Sequence, residues 1–122
     1  MKKVIVLFLI SLNSFSQIAI PDINFENKLV QLGYDNVLDG QIGIQEDIIS
    51  LDLSGALIQD LTGIEAFPAL LYLNVSFNLL TQINLSELYS NYSTYYENML
   101  VYPPFIEIDV QFNPQLNYIN LS

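Results

Sequence analysis

Residues 48–58 read IISLDLSGALI, and residues 70–80 read LLYLNVSFNLL. Laid over one another at a shift of 22, they place aliphatic side chains together at relative positions 1, 4, 6 and 11. Between them Leu61, Ile64, Phe67 and Leu70 fall at every third position. The L-x-L at the centre of each stretch has the period of a short strand: Leu51 and Leu53 point to one side and Asp52 to the other. Strands repeated in this way pair in parallel and bury their leucines in a common ladder. Position 9 of the second stretch is Asn78, a residue able to bond backbone groups where the chain turns off the strand. The first stretch has Ala56 there and lacks that partner.

The rhythm returns at residues 108–122 (IDVQFNPQLNYINLS). Residues 83–88 (INLSEL) match its start at a shift of 25, so the intervening turn is expected to be lengthened or replaced. Leu116, Ile119 and Leu121 then occupy positions 1, 4 and 6 of a further unit. The chain is expected to stop mid-strand with an open edge, as a truncated gene product or with self-association through that edge strand.

The pattern L-x-x-L-x-L-x-x-N-x-L resembles the leucine-rich repeat family. Two further stretches resemble its internalin-like form, found in secreted bacterial surface proteins. Residues 20–26 (IPDINFE) with 32–35 (LGYD) resemble the segment that precedes the first repeat, and residues 60–67 (DLTGIEAF) resemble the link between the first two coils. The resemblance implies an α/β leucine-rich repeat solenoid, with short parallel strands on the concave side and an N-terminal cap helix. It also implies binding of proteins or glycans, without enzymatic activity in the repeats.

Within residues 22–32, Phe25, Leu29 and Leu32 recur at helical spacing, with Asp22 suited to the N-cap and Gly33 to the C-cap. An amphipathic helix here would cover the first coil. Ahead of it, Met1, Lys2 and Lys3 precede the apolar run VIVLFLISL at residues 4–12, followed by the polar, small-residue stretch NSFSQ. This is the grammar of a cleavable signal peptide over residues 1–16. The apolar run would span roughly 14 Å as a helix, about half a hydrocarbon core, so no membrane span is expected. The division is therefore signal peptide 1–16, cap helix and turn 17–47, and repeat coils 48–122, with a secreted or cell-surface destination.

Composition narrows the chemistry. The 122 residues hold 13 Asp and Glu against 3 Lys, with no Arg, His or Cys, for a formal charge of −10. Removal of Lys2 and Lys3 would leave Lys28 as the one cation and a charge of −12. No Ser-His-Asp triad, thiol nucleophile, disulfide or ordinary zinc site can be built from this set. So acidic a chain is repelled by phosphate backbones, which sets nucleic acid aside as a partner. No cofactor is implied. Residues 35–40 (DNVLDG) suggest a calcium loop, but with Asp35 at position 1 the third ligand position is Val37, although Glu46 falls at position 12. A Gly-containing turn accounts for the stretch more simply.

The outward strand positions carry Asp52, Asn74, Asp109 and Asn120, flanked by Tyr72, Glu107 and Tyr118. Stacked on a concave sheet, they would form a hydrogen-bonding face for a protein or a glycan at the cell surface. Residues 88–104 are Tyr-rich, and Tyr89, Tyr92, Tyr95 and Tyr96 form a candidate aromatic patch. Asn-x-Ser sequons at Asn74, Asn84, Asn91 and Asn120 largely follow from the strand grammar. The function expected is an exported binding or adhesion module. The alternatives are an inert truncated fragment of a larger surface protein and a carboxylate-dependent glycoside hydrolase, whose acids would stand ~5–10 Å apart.

Overall fold

The computed structural model describes residues 17–88 and 106–121. The signal-peptide stretch and the patch at Tyr89, Tyr92, Tyr95 and Tyr96 lie outside the described residues.

The chain enters through strand β1 (Gln17–Ala19), helix α1 (Ile23–Gln31) and strand β2 (Gln41–Gly43). β1 and β2 pair antiparallel, Ile18 opposite Ile42. Asp22 does two jobs at the start of the helix. Its Oδ1 accepts from the N–H groups of Asn24 and Phe25, capping α1, and its Oδ2 accepts from those of Gln59 and Asp60, at 2.7 and 2.9 Å. The helix is thereby fastened to a segment 37 residues further on, and its Phe25 and Leu29 are fully buried. Gly33, at φ +84, ends it in the left-handed conformation that a helix C-terminus favours.

Five further three-residue strands follow: β3 (Ser50–Asp52), β4 (Tyr72–Asn74), β5 (Gln82–Asn84), β6 (Glu107–Asp109) and β7 (Tyr118–Asn120). Between β3 and β4 the every-third-residue apolar run becomes a 3-10 helix at Ile64–Ala66, whose three residues per turn match that period. Tyr34 meets Phe67 edge-on there, ring centroids 6.0 Å apart.

The expected α/β leucine-rich repeat solenoid, with its strands in one concave sheet, is not the architecture found. Among the described residues, seven strands divide among three small sheets: antiparallel β1-β2, parallel β3-β4-β6 and parallel β5-β7. The reason lies in the turn after β4. Residues 73–78 (LNVSFN) and 108–113 (IDVQFN) end in the same asparagine turn, so β6 docks on β4 with the Val75 and Phe77 N–H groups bonded to Asp109 O and Gln111 O, and β5 pairs with β7. The edge of β4 left open is taken by β6. The 22-residue offset has a structural counterpart, since Leu51 faces Leu73 across β3 and β4. The 25-residue match does not. Ile108 stands opposite Leu73, and Ile83 stands opposite Ile119.

One apolar core joins these pieces. Ile20, Phe25, Leu29 and Ile42 from the N-terminal part meet Leu51, Leu53, Ile58, Phe67, Leu73, Val75, Leu80, Ile83 and Leu85. At about 25 cal/mol per Å², burying apolar side chains of this size supplies the main stabilisation of a chain without disulfides. Ile108, Val110 and Leu116 pack against this core only in part, and Ile119 and Leu121 are exposed.

Two buried asparagines tie successive layers together. Asn78 Oδ1 accepts from the N–H groups of Ala56 and Ile58, while its Nδ2 donates to the carbonyls of Leu53, Val75 and Ser76. Asn113 repeats the arrangement one layer on, accepting from Leu80 N–H and donating to Val75, Val110 and Gln111.

Candidate functional site

The outer face of the β3-β4-β6 sheet is a small grid. Its alternation follows from the strand period: Leu51, Leu73 and Ile108 turn inward, so the residues on either side of each turn outward. Ser50, Tyr72 and Glu107 form one row, and Asp52, Asn74 and Asp109 form the next. Five of the seven residues predicted for the concave face are thus brought together: Asp52, Tyr72, Asn74, Glu107 and Asp109. Tyr118 and Asn120 are not. They stand in β7, opposite Gln82 and Asn84 of β5, in the separate two-stranded sheet. The seven residues therefore do not share one face.

The second row also shapes the backbone. Asp52 Oδ1 accepts from Ser54 N–H, Asn74 Oδ1 from Ser76 N–H and Asp109 Oδ1 from Gln111 N–H, at 3.0, 2.9 and 3.1 Å. Each closes a local turn that ends its strand. Asn84 does the same for Ser86 after β5. The Ser54 hydroxyl, then the Ser54 N–H, hold the Asp52 carboxyl below the usual carboxylate range against the opposing effect of burial, and Lys28 adds a weaker attraction. That direction is the reverse of what a general acid in glycoside hydrolysis requires.

A feature with no warning in the leucine pattern adjoins this grid. Phe77 and Phe112, each three residues beyond the second row, stack with centroids 4.4 Å apart and planes 15° from parallel. They are 58 % and 63 % exposed. Both adopt left-handed backbone, φ +56 and +55, as Gly55 does at φ +63 one layer earlier. The matching backbone bonds Gly55 N–H to Ser76 O and Phe77 N–H to Gln111 O show that the turn imposes this conformation. For a residue with a Cβ it costs about 1–2 kcal/mol, which a stacked pair offsets by about 0.5–1.5 kcal/mol. Aromatic residues at aligned turn positions, where glycine is the unstrained choice, were the available signal.

Acidic groups also gather around the turn between α1 and β2. Glu26, Asp35 and Asp39 approach one another there, and Asp35 and Asp39 line a cleft of about 320 Å³ together with Gln17, Tyr34 and Gln41. Among the described residues, no helix is long and apolar enough to cross a membrane. Comparison with protein-family models, with curated proteins and with solved structures finds no match to this chain.

Proposed function

We propose that this protein is an exported binding or adhesion module that recognises a protein or glycan at the cell surface through the outer face of the β3-β4-β6 sheet. The observation that carries this reading is the strand register. It gathers Tyr72, Glu107, Asp52, Asn74 and Asp109 into one grid, three residues of chain from the exposed Phe77–Phe112 stack. Hydrogen-bonding groups beside aromatic anchors are what a recognition surface needs, the first for specificity and the second for contact area. The basic, apolar and small-residue succession of residues 1–16 supports export. So does the resemblance of residues 20–26 and 60–67 to segments of exported bacterial surface proteins.

The experiment is a glycan array run alongside a pull-down of surface proteins, with folding verified by circular dichroism. Saturable capture by either route supports the reading. Blank results in both, with folded protein, overturn it.

A further inference from the structure

The acids at the turn between α1 and β2 play no part in the sheet face. One carboxylate oxygen from each of Glu26, Asp35 and Asp39 lies within 4.8 Å of the others. Glu26, on α1, is only 3 % exposed. Its Oε1 accepts from the N–H groups of Asp39 and Gly40 at 2.8 and 2.9 Å, and its Oε2 accepts from Gly40 at 3.0 Å. These bonds fix the second half of the turn against the helix. Asp35 Oδ1 accepts from Asn36 N–H at 2.7 Å. Asp35 Oδ2, by contrast, is shut off from solvent and has no hydrogen-bond partner, the one such side-chain atom among the described residues.

A buried, unpartnered carboxylate oxygen is costly, and two more carboxylates beside it raise the cost by like-charge repulsion. The chain offers little to offset this. Lys28 is the one cationic side chain among the described residues, and it donates no hydrogen bond to these acids.

We propose that Glu26, Asp35 and Asp39 form a binding site for a divalent cation, Ca²⁺ by its chemistry. The donors are all hard carboxylate oxygens, the ligand type that calcium prefers. Oxygens around a shared calcium at about 2.4 Å stand no more than about 4.8 Å apart, which these three satisfy. The cleft lined by Asp35 and Asp39 gives an entry path and room for the water ligands that complete six to eight contacts. The ligand set differs from the loop pattern sought in the sequence. Glu26 reaches in from the helix, nine residues before Asp35, in place of a ligand at Val37. Bound calcium would clamp α1 to the turn that leads into β2.

The test is isothermal titration of calcium chloride into metal-stripped full-length protein, carried to about 10 mM, above the 10⁻⁴–10⁻³ M range of extracellular calcium modules. The site predicts one saturable binding event, weakened at least about tenfold in Asp35→Asn and in Asp39→Asn. Asp47→Asn, at an exposed acid outside both the cluster and the sheet face, should bind as the parent does. Thermal melts in chelator separate loss of ligand from loss of fold. Asp35→Asn should melt no lower than the parent in chelator, yet gain nothing from added calcium. No saturable heat from the parent, undiminished binding by Asp35→Asn, or an equal loss in Asp47→Asn would overturn the site.

Discussion

Asn78 Oδ1 accepts a hydrogen bond from the backbone N–H of Ile58 at 3.0 Å, joining two layers of the chain through a side chain that is only 2 % exposed. The same amide serves Ala56, Leu53 and Val75. Replacing it with alanine orphans several buried backbone groups, each worth about 1–3 kcal/mol when left unsatisfied. Asn78→Ala should therefore lose at least about 3 kcal/mol in urea denaturation. Asn78→Asp keeps the acceptor but turns a buried charged oxygen onto the carbonyls of Leu53, Val75 and Ser76, and should lose at least as much. A loss below about 1 kcal/mol for the alanine variant would show that the interlayer tie is not structural.

Two glycines with positive φ should respond very differently to alanine. At Gly63, φ +107, an added Cβ would meet Ile20 Cγ1 at 2.6 Å and Ala19 O at 2.8 Å. That collision presses on the junction between β1 and α1. At Gly55, φ +63, nothing lies within 4 Å. Gly55→Ala should cost about 1–2 kcal/mol from backbone strain alone, and Gly63→Ala distinctly more, as read from thermal melts of the pair. Equal effects would refute the close approach.

Phe112 tests the exposed stack. Phe112→Gly relieves the left-handed strain while removing the ring contact, two effects of similar size and opposite sign. Its stability should stay within about 1 kcal/mol of the parent. Partner binding should nevertheless weaken. A large stability loss with binding intact would make the stack a packing device and not a recognition element.

Asp52 supplies a pH dependence with a definite sign. Its carboxyl titrates below its ordinary value in the folded protein, chiefly through the Ser54 hydroxyl and N–H. The stabilisation this brings is fully present above the unfolded carboxylate value of about 3.9, and it is lost as pH falls through the lower folded value. Asp52→Asn should flatten that part of the stability profile below about pH 4 and leave the slope near neutrality unchanged. Parallel acid profiles for parent and variant would contradict the assignment.

The sequence was most legible where one side chain has one geometric job. Phe25 and Leu29 at helical spacing, with Asp22 before them, locate α1, and the 22-residue offset locates the pairing of Leu51 with Leu73. It was least legible where one local pattern fits two places. The motif I-x-L occurs at Ile83–Leu85, Ile108–Val110 and Ile119–Leu121 in nearly the same form. Alternation alone cannot say that Ile83 pairs with Ile119 and Ile108 with Leu73. The split into separate sheets follows the turns: Leu73 and Ile108 each stand five residues before an asparagine, and those two turns bond together through Phe77 N–H to Gln111 O and Asn113 Nδ2 to Val75 O, whereas Ile83 stands five residues before Leu88. The same split explains why Tyr118 and Asn120 leave the face they were expected to share. Glu26 escaped notice for a related reason: its partners, Asp39 and Gly40, lie 13 and 14 residues away, beyond any local motif.

We propose the grid on the β3-β4-β6 sheet as the recognition surface. It is tested most directly on an array spotted with glycans and extracellular proteins, probed with the parent, Tyr72→Ala and a control, Gln59→Ala, away from the grid. Truncating a central aromatic anchor typically costs 2 kcal/mol or more, so the Tyr72→Ala signal should fall at least about tenfold while the control keeps the parent signal. Undiminished capture by folded Tyr72→Ala would contradict the claim.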